Sequence, residues 1–147
     1  MVKKITYLFL LSSTIFTLNC SAKPTCTKGS EFEPPLCVSP YTQVDTVAIK
    51  SNGDSKTKDA ETAIQCKSFL LDADKLKLYF SKALLTNEND AHHTLDWSPC
   101  FASGEIAFSN GQVATWEINQ FRVGELILKN GKKEILYCPD CQFSPFK

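Results

Sequence analysis

Between positions 100 and 137, apolar residues recur at every second position through four successive segments, a period that commits the chain to a sheet. Ala102, Gly104, Ile106 and Phe108 fall on one face of the first segment, and Ala114, Trp116 and Ile118 on one face of the second. Leu126 and Leu128 alternate in the third, Ile135 and Tyr137 in the fourth. Ser109-Asn110-Gly111 and Asn130-Gly131 separate two of the pairs, and Asn-Gly accepts the positive φ of a tight hairpin turn. Residues 119–124 make the remaining connection. Cys100 precedes the first segment, and Cys138 and Cys141 follow the last. Strand direction therefore puts these three cysteines at one end of the sheet.

A sheet with an apolar face needs a cover. Asp72 has the chemistry of a helix N-cap, its carboxylate free to accept the orphan amides of a first turn. Beyond it Ala73, Leu76, Phe80, Ala83 and Leu84 recur at intervals of three and four, with Asp74, Lys75, Lys77 and Lys82 between them. This spacing predicts an amphipathic helix of about three to four turns, ending near 86–87. Residues 43–50, rich in β-branched side chains, predict a strand. Residues 51–61 read as a solvated loop with a turn at Asn52-Gly53, and 64–71 as a short strand carrying Cys66. The expected fold is α+β: a four-stranded antiparallel meander covered by one amphipathic helix, with one or two additional N-terminal strands, in a single domain over 43–147.

The start of the chain reads as an export signal. Lys3 and Lys4 precede an apolar run over 5–18 that is shorter than the roughly 20 residues of a spanning helix. Two readings stand side by side. A cut after Ala22 makes 1–22 a signal peptide, whereas Cys20, directly after the apolar run, is similar to the lipidated cysteine of bacterial lipoproteins, with cleavage before it. Residues 23–42 hold four of the seven prolines of the chain and read as a tether. The expected location is periplasmic or secreted, or else the outer membrane through a lipid on Cys20, which is the membrane contact the sequence offers.

Six further cysteines, Cys26, Cys37, Cys66, Cys100, Cys138 and Cys141, form an even set in an exported chain and are expected to be disulfide-bonded. Cys26 and Cys37 would clip the tether. For the rest, closing long loops removes most unfolded-chain entropy, which favours Cys66 with Cys138 and Cys100 with Cys141.

Functional signals are sparse. Lys and Arg number 16 against 16 Asp and Glu, so no net basic field exists to collect phosphates and no nucleic-acid partner is expected. Nothing calls for a cofactor. Cys138-Pro139-Asp140-Cys141 has the spacing of a redox or metal pair, but too little chain follows for the helix that would activate a thiol. His92 or His93 with these cysteines offers zinc donors, and His92, His93 and Asp96 offer a base and its orienting carboxylate, without a nucleophile motif nearby. Phe121 beside Arg122, on a connecting loop, has the composition of a protein-contact anchor.

The segments 66–71, 92–100, 104–111, 116–118 and 137–141 (C-x-x-F-x-L, H-x-x-x-D-W-S-P-C, G-x-I-x-F-x-N-G, W-x-I and Y-C-P-D-C) resemble those of a group of small exported, disulfide-containing proteobacterial proteins. The resemblance implies the bounds of a folded core and no activity. The order strand, helix, meander is loosely similar to cystatin-like folds and to small inhibitor or immunity proteins, an analogy of fold alone.

The function expected is a non-catalytic envelope protein of a Gram-negative bacterium that binds another protein, an inhibitor or immunity protein among the options. The alternative is a small exported enzyme or metal-binding protein using His92, His93, Asp96 and the Cys138/Cys141 pair. Recognition is expected on the loops 87–99 and 119–124.

Overall fold

The computed structural model describes residues 25–147. The expected signal segment and Cys20 lie outside the described residues. The elements run β1 (Val44–Ser55), α1 (Ala60–Cys66), α2 (Ala73–Lys82), β2 (Leu84–Thr86), α3 (Glu88–Thr94), β3 (Cys100–Phe108), β4 (Val113–Asn119), β5 (Val123–Leu128) and β6 (Lys133–Tyr137). The strands form one six-stranded antiparallel sheet in the order β1-β3-β4-β5-β6-β2. The class is α+β, as the periodicity predicts. The sheet is wider than four strands, because β1 adds to one edge and β2 to the other.

The alternation in β3, β4 and β5 divides the sheet cleanly. Ala102, Gly104, Ile106, Phe108, Ala114, Trp116, Ile118, Gly124, Leu126 and Leu128 are buried on the inner face. The fourth strand departs from expectation. Leu136 is the buried residue, at 1% exposure, and Ile135 and Tyr137 stand on the outer face. Three consecutive apolar residues leave the phase of a period-two pattern open, and the pairing of Gly124 with Leu136 decides it.

Leu76, Tyr79 and Phe80 of α2 pack into this inner face. Asp72 caps the helix by accepting from the Lys75 amide at 2.8 Å. The helix ends at Lys82, earlier than the sequence suggests, because Leu84–Thr86 turns extended to pair with β6. Gly124 makes the approach of α2 possible: a Cβ there would stand 2.6 Å from the Tyr79 hydroxyl. That hydroxyl donates to the Arg122 carbonyl at 3.1 Å, tying the helix to the β4–β5 connection.

Three further expectations are corrected. β1 runs on to Ser55 through three register irregularities instead of yielding to a loop at residue 51, and Gly53, with φ of 71°, bends the strand without reversing it. Residues 64–71 are not a strand. Asp59 caps α1 by accepting from the Thr62 amide, and the helix carries Cys66. Residues 25–42 are not a free tether: Pro34, Leu36, Ser39 and Tyr41 are buried, and Cys37 exchanges backbone hydrogen bonds of 2.8 Å with Leu85 of β2. Proline here excludes regular structure without excluding packing.

Disulfides join Cys26 to Cys37, Cys66 to Cys100, and Cys138 to Cys141. The expected Cys66–Cys138 and Cys100–Cys141 pairs are therefore replaced. The reason is topological. Ser55 at the end of β1 lies opposite Cys100, and α1 follows within a few residues, so Cys66 arrives beside Cys100. The Cys141 amide donates to the Cys138 carbonyl at 3.2 Å, folding the intervening Pro139-Asp140 into a turn that brings its own two sulfurs together. Three such bonds indicate a non-cytoplasmic, oxidising location. No helix among the described residues is long and apolar enough to cross a membrane.

Candidate functional site

The outer face of the sheet is open, and its strands carry charge. Glu117 of β4 lies directly opposite Glu125 of β5, a like-charge pair that a sheet does not tolerate bare. Lys56 reaches Glu117 and Lys133 reaches Glu125, at 2.7 and 2.8 Å, so each carboxylate has its own cation. Lys133 also contacts Glu88 on α3 at 2.8 Å. Its ammonium is held above the ordinary lysine value, first by the hydrogen bond to Glu125 and then by that to Glu88. The Glu88 carboxyl is correspondingly held below its usual range, chiefly by the same hydrogen bond.

This bridge fixes α3 beside β6. Asn87 caps the helix by accepting from the Asp90 amide at 2.8 Å, and Leu95 closes its far end by donating to the Ala91 carbonyl. Between α3 with the residues after it and the outer face of β4, β5 and β6 lies a groove of about 390 Å³. Its apolar lining is Ala91, Leu95, Val123 and Ile135; His92, Asp96, Asn119 and the Glu88–Lys133–Glu125 bridge line the rest, together with Trp97. Trp97 is 65% exposed, in contrast to Trp116 at 2%. The size lies in the range of pockets that take a small ligand or a partner's side chain.

The groove unites parts of the two loops singled out by the sequence, 87–99 and 119–124. His92 and Asp96 both line it, whereas His93 is exposed outside that lining, its ring centre 5.8 Å from that of His92. Cys138 and Cys141 are bonded to each other and fully buried, so they present no thiolate beside the histidines. Among the described residues no group of three or more His, Cys, Asp or Glu is arranged to hold a metal ion. The groove lining contains no serine, threonine or cysteine.

Phe121 and Arg122 are half-buried, and Arg122 works within the molecule. Its guanidinium donates to the Pro139 carbonyl at 2.9 Å, and its own carbonyl accepts from Tyr79 and from the Cys138 amide. Its φ of 69° lies in the left-handed region, held by the Asn119 side chain, which accepts from the Phe121 and Val123 amides on either side. Arg122 thus fastens α2, the β4–β5 connection and the C-terminal turn to one point.

Of the groove residues, Glu88 and Val123 fall in the two singled-out loops without having been named, Ile135 was read only as part of the strand alternation, and Glu125 and Lys133 were passed over. Glu125 and Lys133 were visible as polar positions of an alternating strand, but nothing in the sequence places them under a helix seven residues long. Comparison with protein-family models, with curated proteins and with solved structures gives no match.

Proposed function

We propose that this chain is a non-catalytic envelope protein of a Gram-negative bacterium that binds another protein, with an inhibitor or immunity role as the form of binding that fits its size. The observation that carries the reading is Trp97. A large indole left 65% exposed at a groove with an apolar floor is a costly arrangement for a free surface and a common one for a contact anchor. The lack of a serine, threonine or cysteine in that lining and three disulfides bracing the fold support a binding role over turnover. The pairing of His92 with Asp96 in one groove keeps acid–base chemistry as the competing reading.

Site-specific photocrosslinking in the producing cell tests the proposal. A photoreactive residue at His92, inside the groove, is expected to give one discrete protein adduct identifiable by mass spectrometry. The same residue at Lys129, in the distant β5–β6 turn, is expected to give none. Absence of an adduct from His92, or equal adducts from both positions, overturns the reading.

A further inference from the structure

The carboxylates of the groove differ in what they already hold. Glu88 and Glu125 share the Lys133 ammonium, both at 2.8 Å. Asp96 is exposed, and among the described residues no hydrogen bond or ion pair occupies its carboxylate. Three carboxylates and one lysine thus line the groove, leaving it with an excess of negative charge, and the carboxylate without a cation partner is the neighbour in sequence of the exposed Trp97. An indole face attracts a cation through its quadrupole, and a carboxylate beside it supplies the counter-charge. A planar cation on an aliphatic stem matches the three kinds of group that line the groove: apolar Ala91, Leu95, Val123 and Ile135 suit its stem, Trp97 its plane, and Asp96 its N–H groups.

We infer that the groove takes an arginine side chain from the protein partner, with Trp97 and Asp96 as its two recognition groups. The inference rests on the protein-binding reading and adds the chemistry of the contact. Charge complementarity selects this occupant. An acidic segment would meet Asp96 unpaired, and a neutral apolar one would strip water from that carboxylate without replacing it.

The test titrates the full folded domain with N-acetyl-arginine amide, following the Trp97 indole and the α3 amides by two-dimensional NMR. Its neutral isostere, N-acetyl-citrulline amide, is the control. Saturable shifts with the arginine compound alone are expected, with affinity about tenfold weaker in Asp96→Asn, the loss of one charge-assisted contact. Asp96 is exposed and unbonded, so this variant keeps its fold. Equal shifts with the citrulline compound, or unchanged affinity in Asp96→Asn, overturn the inference. The two proposals fail separately. A His92 adduct that persists in Asp96→Asn, with no arginine binding, removes the arginine contact and leaves the protein partner. Arginine binding without any adduct removes the partner and leaves the groove's preference for a guanidinium.

Discussion

The carbonyl oxygen of Ala48 occupies the space a side chain would need at Gly104: a Cβ there would stand 1.9 Å from it and 3.0 Å from the Trp116 ring. Edge strand β1 crosses this point with its register shifting just beyond, between Ile49 and Ser51, so the close approach and the irregularity belong together. Gly104→Ala should therefore destabilise the fold by about 3 kcal/mol, the upper part of the range for overpacking. Urea unfolding followed at Trp116 measures it; a loss under about 0.5 kcal/mol would show that β1 moves aside freely.

The two inner disulfides should differ in weight. Cys66–Cys100 closes a separation of 34 residues and joins α1 to β3, whereas Cys138–Cys141 spans 3. In the chain-entropy model the first contributes about 4 kcal/mol and the second about 2. Paired alanine variants compared by denaturant midpoint should show the larger fall for Cys66/Cys100. The reverse order would mean that the C-terminal turn, through Arg122, organises more of the core than the α1 staple does.

Tyr41 sets an alkaline limit. Burial, and then the neighbouring Glu134 carboxylate that accepts its hydrogen bond at 3.1 Å, push its hydroxyl up to about 12. The folded protein holds this proton more tightly than the unfolded chain, whose tyrosines ionise near 10. The stabilisation is complete below about pH 10 and is lost as pH rises towards 12. Tyr41→Phe should flatten the fall in melting temperature across that window. A slope unchanged by the substitution would assign alkaline unfolding to other groups.

The two tryptophans give a direct optical check on the groove. Iodide should quench the fluorescence of Trp97 and leave that of Trp116 almost untouched, as exposures of 65% and 2% require. Trp97→Phe should abolish the quenchable fraction. A single uniformly quenched population would place Trp97 against the protein.

Lys133 should matter locally and little globally. Its carboxylate partners are on the surface, and exposed pairs contribute at most about 1 kcal/mol. Lys133→Ala is expected to keep the melting temperature within a few degrees while amide exchange in α3 accelerates. Unchanged exchange would show that packing at Ala91 holds the helix without the bridge.

Much of the fold was written in local patterns. The Asn110-Gly111 and Asn130-Gly131 turns adopt the positive φ their residues signal, with 81° at both glycines. Asp72 caps α2, and the inner face of β3–β5 follows the period of two. What was illegible depends on long-range placement. The phase of Ile135-Leu136-Tyr137 needs the neighbouring strand. The partner of Cys66 is chosen by the β1–β3 register, which entropy of loop closure ignores. Of the groove, His92 and Asp96 stood out as chemistry-bearing loop residues. The salt bridge from Lys133 that gathers α3 over the sheet joins positions 45 apart, and no spacing rule announces it.

The same strands build the core with one set of side chains and the groove with the other. In β5 and β6 the groove belongs to Val123, Glu125, Lys133 and Ile135, while Gly124, Leu126 and Leu136 belong to the interior. The chemistry of the groove can therefore change at every second residue while the fold stays untouched. That freedom covers substitutions and stops at insertions: one extra residue within β5 would turn Glu125 inward, Leu126 outward, and erase site and core together.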